Sequence, residues 1–249
     1  MSEKKIKVIV PIPMDQAGVD NRAEQLPDTV VRKGFRPVFE AVSWGAALGD
    51  SYHDMMLMDW TVFQAGVKAE EEGFAAVLID TVSDSGLRAL RSRLTIPVIG
   101  PGEAAFMAAM MLGKKFSVLT MWPEWYPLYE KTLTEYGFWH RVASLRSINT
   151  RPDLSELLAG KEEVIFEKLK AEADKAIHDD GADVIVLGST TMHQSAAYLT
   201  ENLDIPLINP GLIAYKFLEV LLELDLTHSK KAFPTPEVMN DEGILKGVE

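Results

Sequence analysis

The 249-residue chain contains no cysteine. Disulfides, thiolate metal sites and thiol nucleophiles are therefore excluded from the outset. Basic charge is also scarce: 25 Lys and Arg stand against 37 Asp and Glu, a formal net charge of −12. Nucleic-acid recognition draws much of its affinity from a basic face, so nucleic acid is a poor partner for this chain. An anionic small molecule is not excluded, because a few backbone N–H groups suffice to hold a carboxylate. No run approaches the roughly 18 apolar residues of a membrane span, and no lipid-anchor motif occurs. The apolar run Ile6–Ile12 is too short for the core of a secretion signal. These absences lead to the expectation of a cytoplasmic protein with no membrane partner.

Metal and nucleotide signatures are missing too. His53, His140, His178, His193 and His228 are scattered, with no metal-ligand spacing. Gly100-Pro101-Gly102 and Asn209-Pro210-Gly211 read as strand-to-helix turns, not as a dinucleotide fingerprint. A site with no metal and no cofactor is the economical expectation.

What is present is an alternation of short β-rich runs with helix-length amphipathic segments, which predicts an α/β fold with mostly parallel sheets. Strands are expected at Lys7–Pro11, Arg36–Val42, Ala75–Asp80, Pro97–Gly100, Phe116–Thr120, Val142–Leu145, Asp183–Gly188 and Pro206–Asn209. Helices are expected at Asp54–Glu72, Ser85–Arg93, Glu103–Leu112, Glu124–Tyr136, Lys161–Asp179, Met192–Leu203 and Leu212–Leu224. In the fifth of these, Val164, Leu169, Ala173, Ala176 and Ile177 fall on one side.

The pattern also repeats. Gly73–Thr81 aligns with Gly181–Ser189 at an offset of 108, and Ile96–Gly102 with Ile205–Gly211 at 109. Ile6–Pro13 aligns with Phe116–Pro123 at 110. Three such close offsets predict two similar, pseudo-twofold lobes, 1–113 and 114–212, with segment 213–249 closing back over the first. Ligands of open α/β sheets sit beyond the carboxyl ends of the strands. Thr81 and Ser189 follow equivalent strands, so the repeat places these two hydroxyls on opposite sides of one cleft.

Several stretches carry a resemblance to a known family. They are Ile79–Leu87, Pro97–Gly100 leading into Glu103–Phe106, Leu112-Gly113 with Phe116–Thr120, Asp180–Ser189, and Leu226–Lys230. Through them nearly the whole chain resembles the Asp/Glu/hydantoin racemase superfamily, and its hydantoin-racemase branch in particular. The resemblance implies proton transfer at a carbon next to a carbonyl or carboxylate of a small molecule, without a cofactor, in a homo-oligomer. Family racemases carry one cysteine per lobe, and Thr81 and Ser189 stand at those positions. A thiol ionises near about 8.5 and an alcohol nearer bulk water at about 15.7, a gap worth roughly 10 kcal/mol. Thiol-based racemisation is thus unavailable. The superfamily also contains decarboxylases and maleate isomerases, so a lyase or hydrolase is an alternative, and a non-catalytic binding protein is a third.

Thr81, Ser189, His193 and Asp80 are the candidate catalytic residues. His193 lies four residues beyond Ser189, which on a helix shares its face, so it is a candidate base; the plain alternative is an ordinary helix histidine. Asp80 at its strand end is a candidate carboxylate base. Asp84 is either a base or a helix cap, and His53 either borders the pocket or belongs to a capping region. Thr81 and Ser189 could equally cap the helices that follow them. Val82, Ser83, Thr190 and Thr191 are candidate substrate contacts, since the resemblance implies that these loops hold carbonyl or carboxylate oxygens. Trp122, Trp125 and Tyr126 cluster after one strand; Trp122 and Tyr126 are taken as lining a pocket, with packing between lobes or subunits as the alternative. Pro11 and Met14 stand where the family has an Asn-Pro-Asn-Thr binding loop, and Pro11 is a further candidate contact.

Overall fold

A computed structural model describes residues 3–152, 162–241 and 243. Its strands are β1 (Lys4–Val10), β2 (Phe35–Ala41), β3 (Ala76–Ile79), β4 (Val98–Ile99), β5 (Phe116–Thr120), β6 (Val142–Ser147), β7 (Val184–Leu187) and β8 (Leu207–Ile208). They form two parallel four-stranded sheets, ordered β2-β1-β3-β4 and β6-β5-β7-β8. The second order is the first with every index raised by four, so the sequence repeat is a repeat of topology. The fold is α/β with two similar lobes and a cleft between them.

The helices are α1 (Gln16–Ala23), α2 (Tyr52–Gly66), α3 (Leu87–Arg93), α4 (Pro101–Leu112), α5 (Tyr126–Tyr136), α6 (Glu162–His178), α7 (His193–Asn202) and α8 (Pro210–Glu223). The central strands are mostly apolar without alternation because helices cover both faces, with buried Lys7 in β1 and buried Ser117 and Thr120 in β5 as the polar exceptions. Ile9, Val77 and Ile79 face Val62 of α2 and Leu87 and Leu90 of α3. On the opposite face Ile6, Val8, Ala76 and Leu78 pack against Ala214, Tyr215, Leu218 and Leu222 of α8. The second sheet repeats this: Leu119, Ile185 and Leu187 meet Leu169, Ala173 and Ala176 of α6, while Phe116, Val118, Val184 and Val186 meet Ala105, Phe106 and Ala109 of α4. Each lobe therefore buries a helix that begins at the other lobe's side of the molecule, which couples the two sheets.

Four expectations shift in the structure. Helix α1 was not anticipated, since only Val19 and Arg22 of its eight residues are buried and no apolar period marks it. The helix expected at Asp54–Glu72 ends at Gly66, and the chain continues as looser turns to Gly73, whose φ of +80° stops it. The segment expected as one helix from Glu124 begins as a 3₁₀ turn at Pro123–Trp125, and that from Met192 follows another at Thr190–Met192. The expected helix start at Lys161 and the side chain of Val164 lie outside the described residues. Among the described residues no helix is long and apolar enough to cross a membrane.

The strand-to-helix turns are tight where the cleft needs them. Pro101 and Pro210 open α4 and α8, where the missing N–H costs nothing. A Cβ on Gly100 would lie 2.3 Å from Asp84 Oδ1, and one on Gly102 2.3 Å from the Val82 carbonyl oxygen. Glycine there lets loop 81–85 lie directly against the start of α4.

Candidate active site

A cavity of about 120 Å³ lies where the carboxyl ends of the two sheets face each other. Val10, Pro11, Ile12 and Met14 reach it from the end of β1, and Asp80, Thr81, Val82 and Ser83 from the end of β3. Gly188, Ser189, Thr190 and Thr191 follow β7 on the opposite wall. Leu48, Met58, Trp125 and Leu128 supply much of the remaining, apolar lining.

The two walls carry matching hydroxyl pairs. Thr81 Oγ1 is 3.0 Å from Ser83 Oγ and accepts the Ser83 N–H at 3.4 Å. Ser189 Oγ is 2.7 Å from Thr191 Oγ1 and accepts the Thr191 N–H at 3.2 Å. The pattern is the same on both sides, a front hydroxyl tied to the hydroxyl and amide two residues on. Ser83 Oγ continues to Ser85 Oγ at 2.9 Å. Tyr129, at the floor, donates to the Gly188 carbonyl at 2.8 Å and bonds Thr120 Oγ1 at 2.7 Å, which fixes the end of β7 just before Ser189.

Beside Thr81 is a buried ion pair, and both of its residues, Arg22 and Asp80, line the cavity. Arg22 of α1 donates to Asp80 Oδ2 through Nε at 2.9 Å and Nη2 at 2.5 Å, and Gln25 Nε2 reaches Asp80 Oδ1 at 3.2 Å. Nη2 also bonds Thr190 Oγ1, which itself donates to the Asp80 backbone carbonyl at 3.1 Å. Arg22 Nη1 is buried and has no partner among the described residues. Asp80 is thus engaged as an ion-pair partner, and its carboxylate is not a free base. Arg22 and Gln25 carry no motif; they sit in the unanticipated helix α1 and its exit, and a charged residue in a short polar stretch gives no sign that it will be buried.

His193 does not line the cavity. The turn after Ser189 is 3₁₀, so the four-residue spacing no longer puts both side chains on one face. Its Nδ1 lies 3.2 Å from the Thr190 carbonyl, and its Nε2 is buried with no partner among the described residues. Burial, and then the positive charge of Arg22, lower its pKa, which favours the neutral ring with the proton on Nδ1. Of the three aromatics, Trp125 lines the cavity and donates Nε1–H to the Leu48 carbonyl at 2.9 Å. Trp122 stands edge-on to Trp125, with ring centroids 6.5 Å apart, and Tyr126 packs on the hydrophobic core, so neither is among the lining residues. His53 is exposed at the start of α2, beside Asp54.

Asp84 proves to be a cap, but of α4. Its carboxylate accepts the Gly102 and Glu103 N–H groups at 2.8 and 2.7 Å and the Tyr136 hydroxyl at 2.8 Å. Burial pushes its pKa up to about 7 against the pull of these donors. The folded state therefore holds a proton that the unfolded chain releases near its ordinary value of 3.8. The stabilisation from this proton is complete below that value and is lost as pH rises to about 7, on the order of 4 kcal/mol in all. In urea unfolding across this range, the stability of wild type relative to Asp84→Asn should fall with rising pH. A difference that stays constant or grows would contradict the assignment.

Two repeat-related lobes present matched hydroxyl turns to one cavity of small-molecule size, the layout of a two-lobed α/β protein with its site between the sheets. The family model for Asp/Glu/hydantoin racemase matches residues 20–218. A hydantoin racemase of Pseudomonas sp. (strain NS671) is 31% identical over 243 residues, covering 97% of this chain and 96% of that one. An allantoin racemase from Klebsiella pneumoniae superposes with a TM-score of 0.86 at 28% identity, covering 98% of both chains. The allantoin racemase of Pseudomonas fluorescens gives 0.85 at 27% identity, covering 95% of this chain and 98% of that one. The chain belongs to the Asp/Glu/hydantoin racemase family. Its relatives place it among isomerases, in preference to the lyase, hydrolase and non-catalytic alternatives.

Proposed function

We propose that the protein racemises a small, uncharged carbonyl compound of the cyclic-ureide type, using Thr81 and Ser189 as its two proton-transfer groups. The observation that carries this reading is the pair of equivalent hydroxyl turns facing one apolar cavity. One front hydroxyl, deprotonated, takes the proton from the carbon beside the carbonyl. The electron pair of that C–H bond moves into the carbonyl as an enolate, and the opposite hydroxyl delivers its proton to the other face. The two groups have then exchanged protonation states, and the next turnover runs in reverse.

An alkoxide base starts at a disadvantage of roughly 10 kcal/mol against a thiolate. Hydrogen bonds to a charged group are worth about 1.5–3 kcal/mol each, so the second hydroxyl and the N–H at each turn offset part of it. The rest falls on the substrate, which favours a C–H already acidified by a neighbouring carbonyl and ring nitrogen. Met14, Leu48, Met58 and Trp125 suit an apolar substituent on that carbon. Among the described residues Arg22 is the only cation that lines the cavity, and Asp80 neutralises it, which disfavours a dicarboxylate. Pro11, Val82, Ser83, Thr190 and Thr191 would then contact the ring and its oxygens.

Single enantiomers of 5-alkylhydantoins, and of allantoin for comparison, incubated in deuterated water test the reading. Loss of optical rotation with deuterium entering the α-carbon, faster than in buffer alone, is the expected result. No catalysed exchange across that panel would sink it.

A further inference from the structure

The two hydroxyl turns lie in different lobes, so no local turn geometry sets the distance between them. Arg22 and Asp80 of the first lobe together hold Thr190 of the second. Asp80 immediately precedes Thr81, and Thr190 immediately follows Ser189. All three side chains are buried, with residue exposures of 5%, 3% and 2%.

Folding alone does not account for this cluster. A buried ion pair recovers little more than its desolvation cost, and apolar residues of similar volume often serve stability as well or better. Arg22 Nη1 has no partner among the described residues, which adds a further penalty. We infer that Arg22 is a positioning residue: by gripping Asp80 and Thr190 at once it sets the separation of the Thr81 and Ser189 hydroxyls across the cavity. This rests on the proposed two-hydroxyl racemisation for its functional meaning, but its geometry stands apart from it.

The test pairs kinetics with crystallography. The double variant Arg22→Met/Asp80→Leu replaces the ion pair by apolar groups and should melt at or above the wild-type temperature. Its kcat for racemisation should fall at least ~100-fold with KM changed less than about threefold, since a misplacement of about 1 Å is enough for such a loss. Arg22→Lys, which keeps the charge but not the fork, should recover part of that kcat. Crystal structures should show the Thr81–Ser189 separation altered by about 1 Å or more in the double variant. Thr190→Val, which removes the cross-lobe bonds and leaves Arg22 and Asp80 paired, should reproduce the kcat loss should the double variant not fold. A folded double variant or Thr190→Val with wild-type kcat, or an unchanged separation, overturns the inference. Should wild type itself turn over no substrate, the racemase reading fails while the measured separation still decides the role of Arg22.

Discussion

Replacing Thr81 and Ser189 together by cysteine raises the racemisation rate at least ~100-fold, measured as optical rotation lost from a single hydantoin enantiomer. The expectation follows from the size of the ionisation gap. A free thiol gives up its proton about 7 units below an alcohol, so a base that must be formed at great cost becomes partly available at neutral pH. The surroundings already suit an anion at both positions: each front oxygen accepts a backbone N–H and lies within 3.0 Å of a second hydroxyl. Both side chains are close in size to cysteine, and both border the cavity. The pH profile should change with the rate, acquiring a rise through the thiol range that the wild type lacks. A double variant that folds, binds the hydantoin and is no faster than wild type would show that these positions do not carry the proton.

Removing one hydroxyl at a time produces an asymmetry that a one-base enzyme does not show. With Ser189→Ala, deuterium exchange from one enantiomer should fall by about 10²–10⁴-fold, because the group facing that hydrogen is gone. Exchange from the other enantiomer should persist, since Thr81 still removes and returns a proton on its own face. Thr81→Val should give the mirror result. Racemisation should be lost in both, because it needs both faces. The measurement is α-deuterium incorporation by NMR for each pure enantiomer with each variant. Equal losses for the two enantiomers in either variant would replace the two-wall mechanism by one in which a single group serves both faces. The carboxylate of Asp80 is a poor candidate for that group, as three donor atoms from Arg22 and Gln25 already occupy it.

How much of this was legible beforehand depended on whether the signal was periodic. The apolar runs of β1, β3, β5 and β7, the Pro-Gly turns that open α4 and α8, and offsets of 108 to 110 residues mark two similar lobes in the sequence itself, and the two sheets share one strand order. Their repeat also marked Thr81 and Ser189 as equivalent strand-end residues, and both line the cavity. Lack of cysteine means, by composition alone, that none of these 249 residues supplies a thiol. Those features are local or repeated, and hydrophobic burial reads them directly.

Only the tertiary structure decided which polar residues would be buried with them. Arg22 comes from a helix with no apolar period and meets Asp80 58 residues away and Thr190 168 residues away. Asp84 caps α4 from beyond α3 and β4, not the helix beside it in sequence. A 3₁₀ turn in place of an α-turn carried His193 off the cavity wall, and the lining aromatic is Trp125 rather than its neighbours Trp122 and Tyr126. Such placements depend on the tighter winding of one 3₁₀ turn and on partners distant in the chain. Residue type and spacing carry no record of either, whereas the packed lobes leave a buried charge only one place to find its partner.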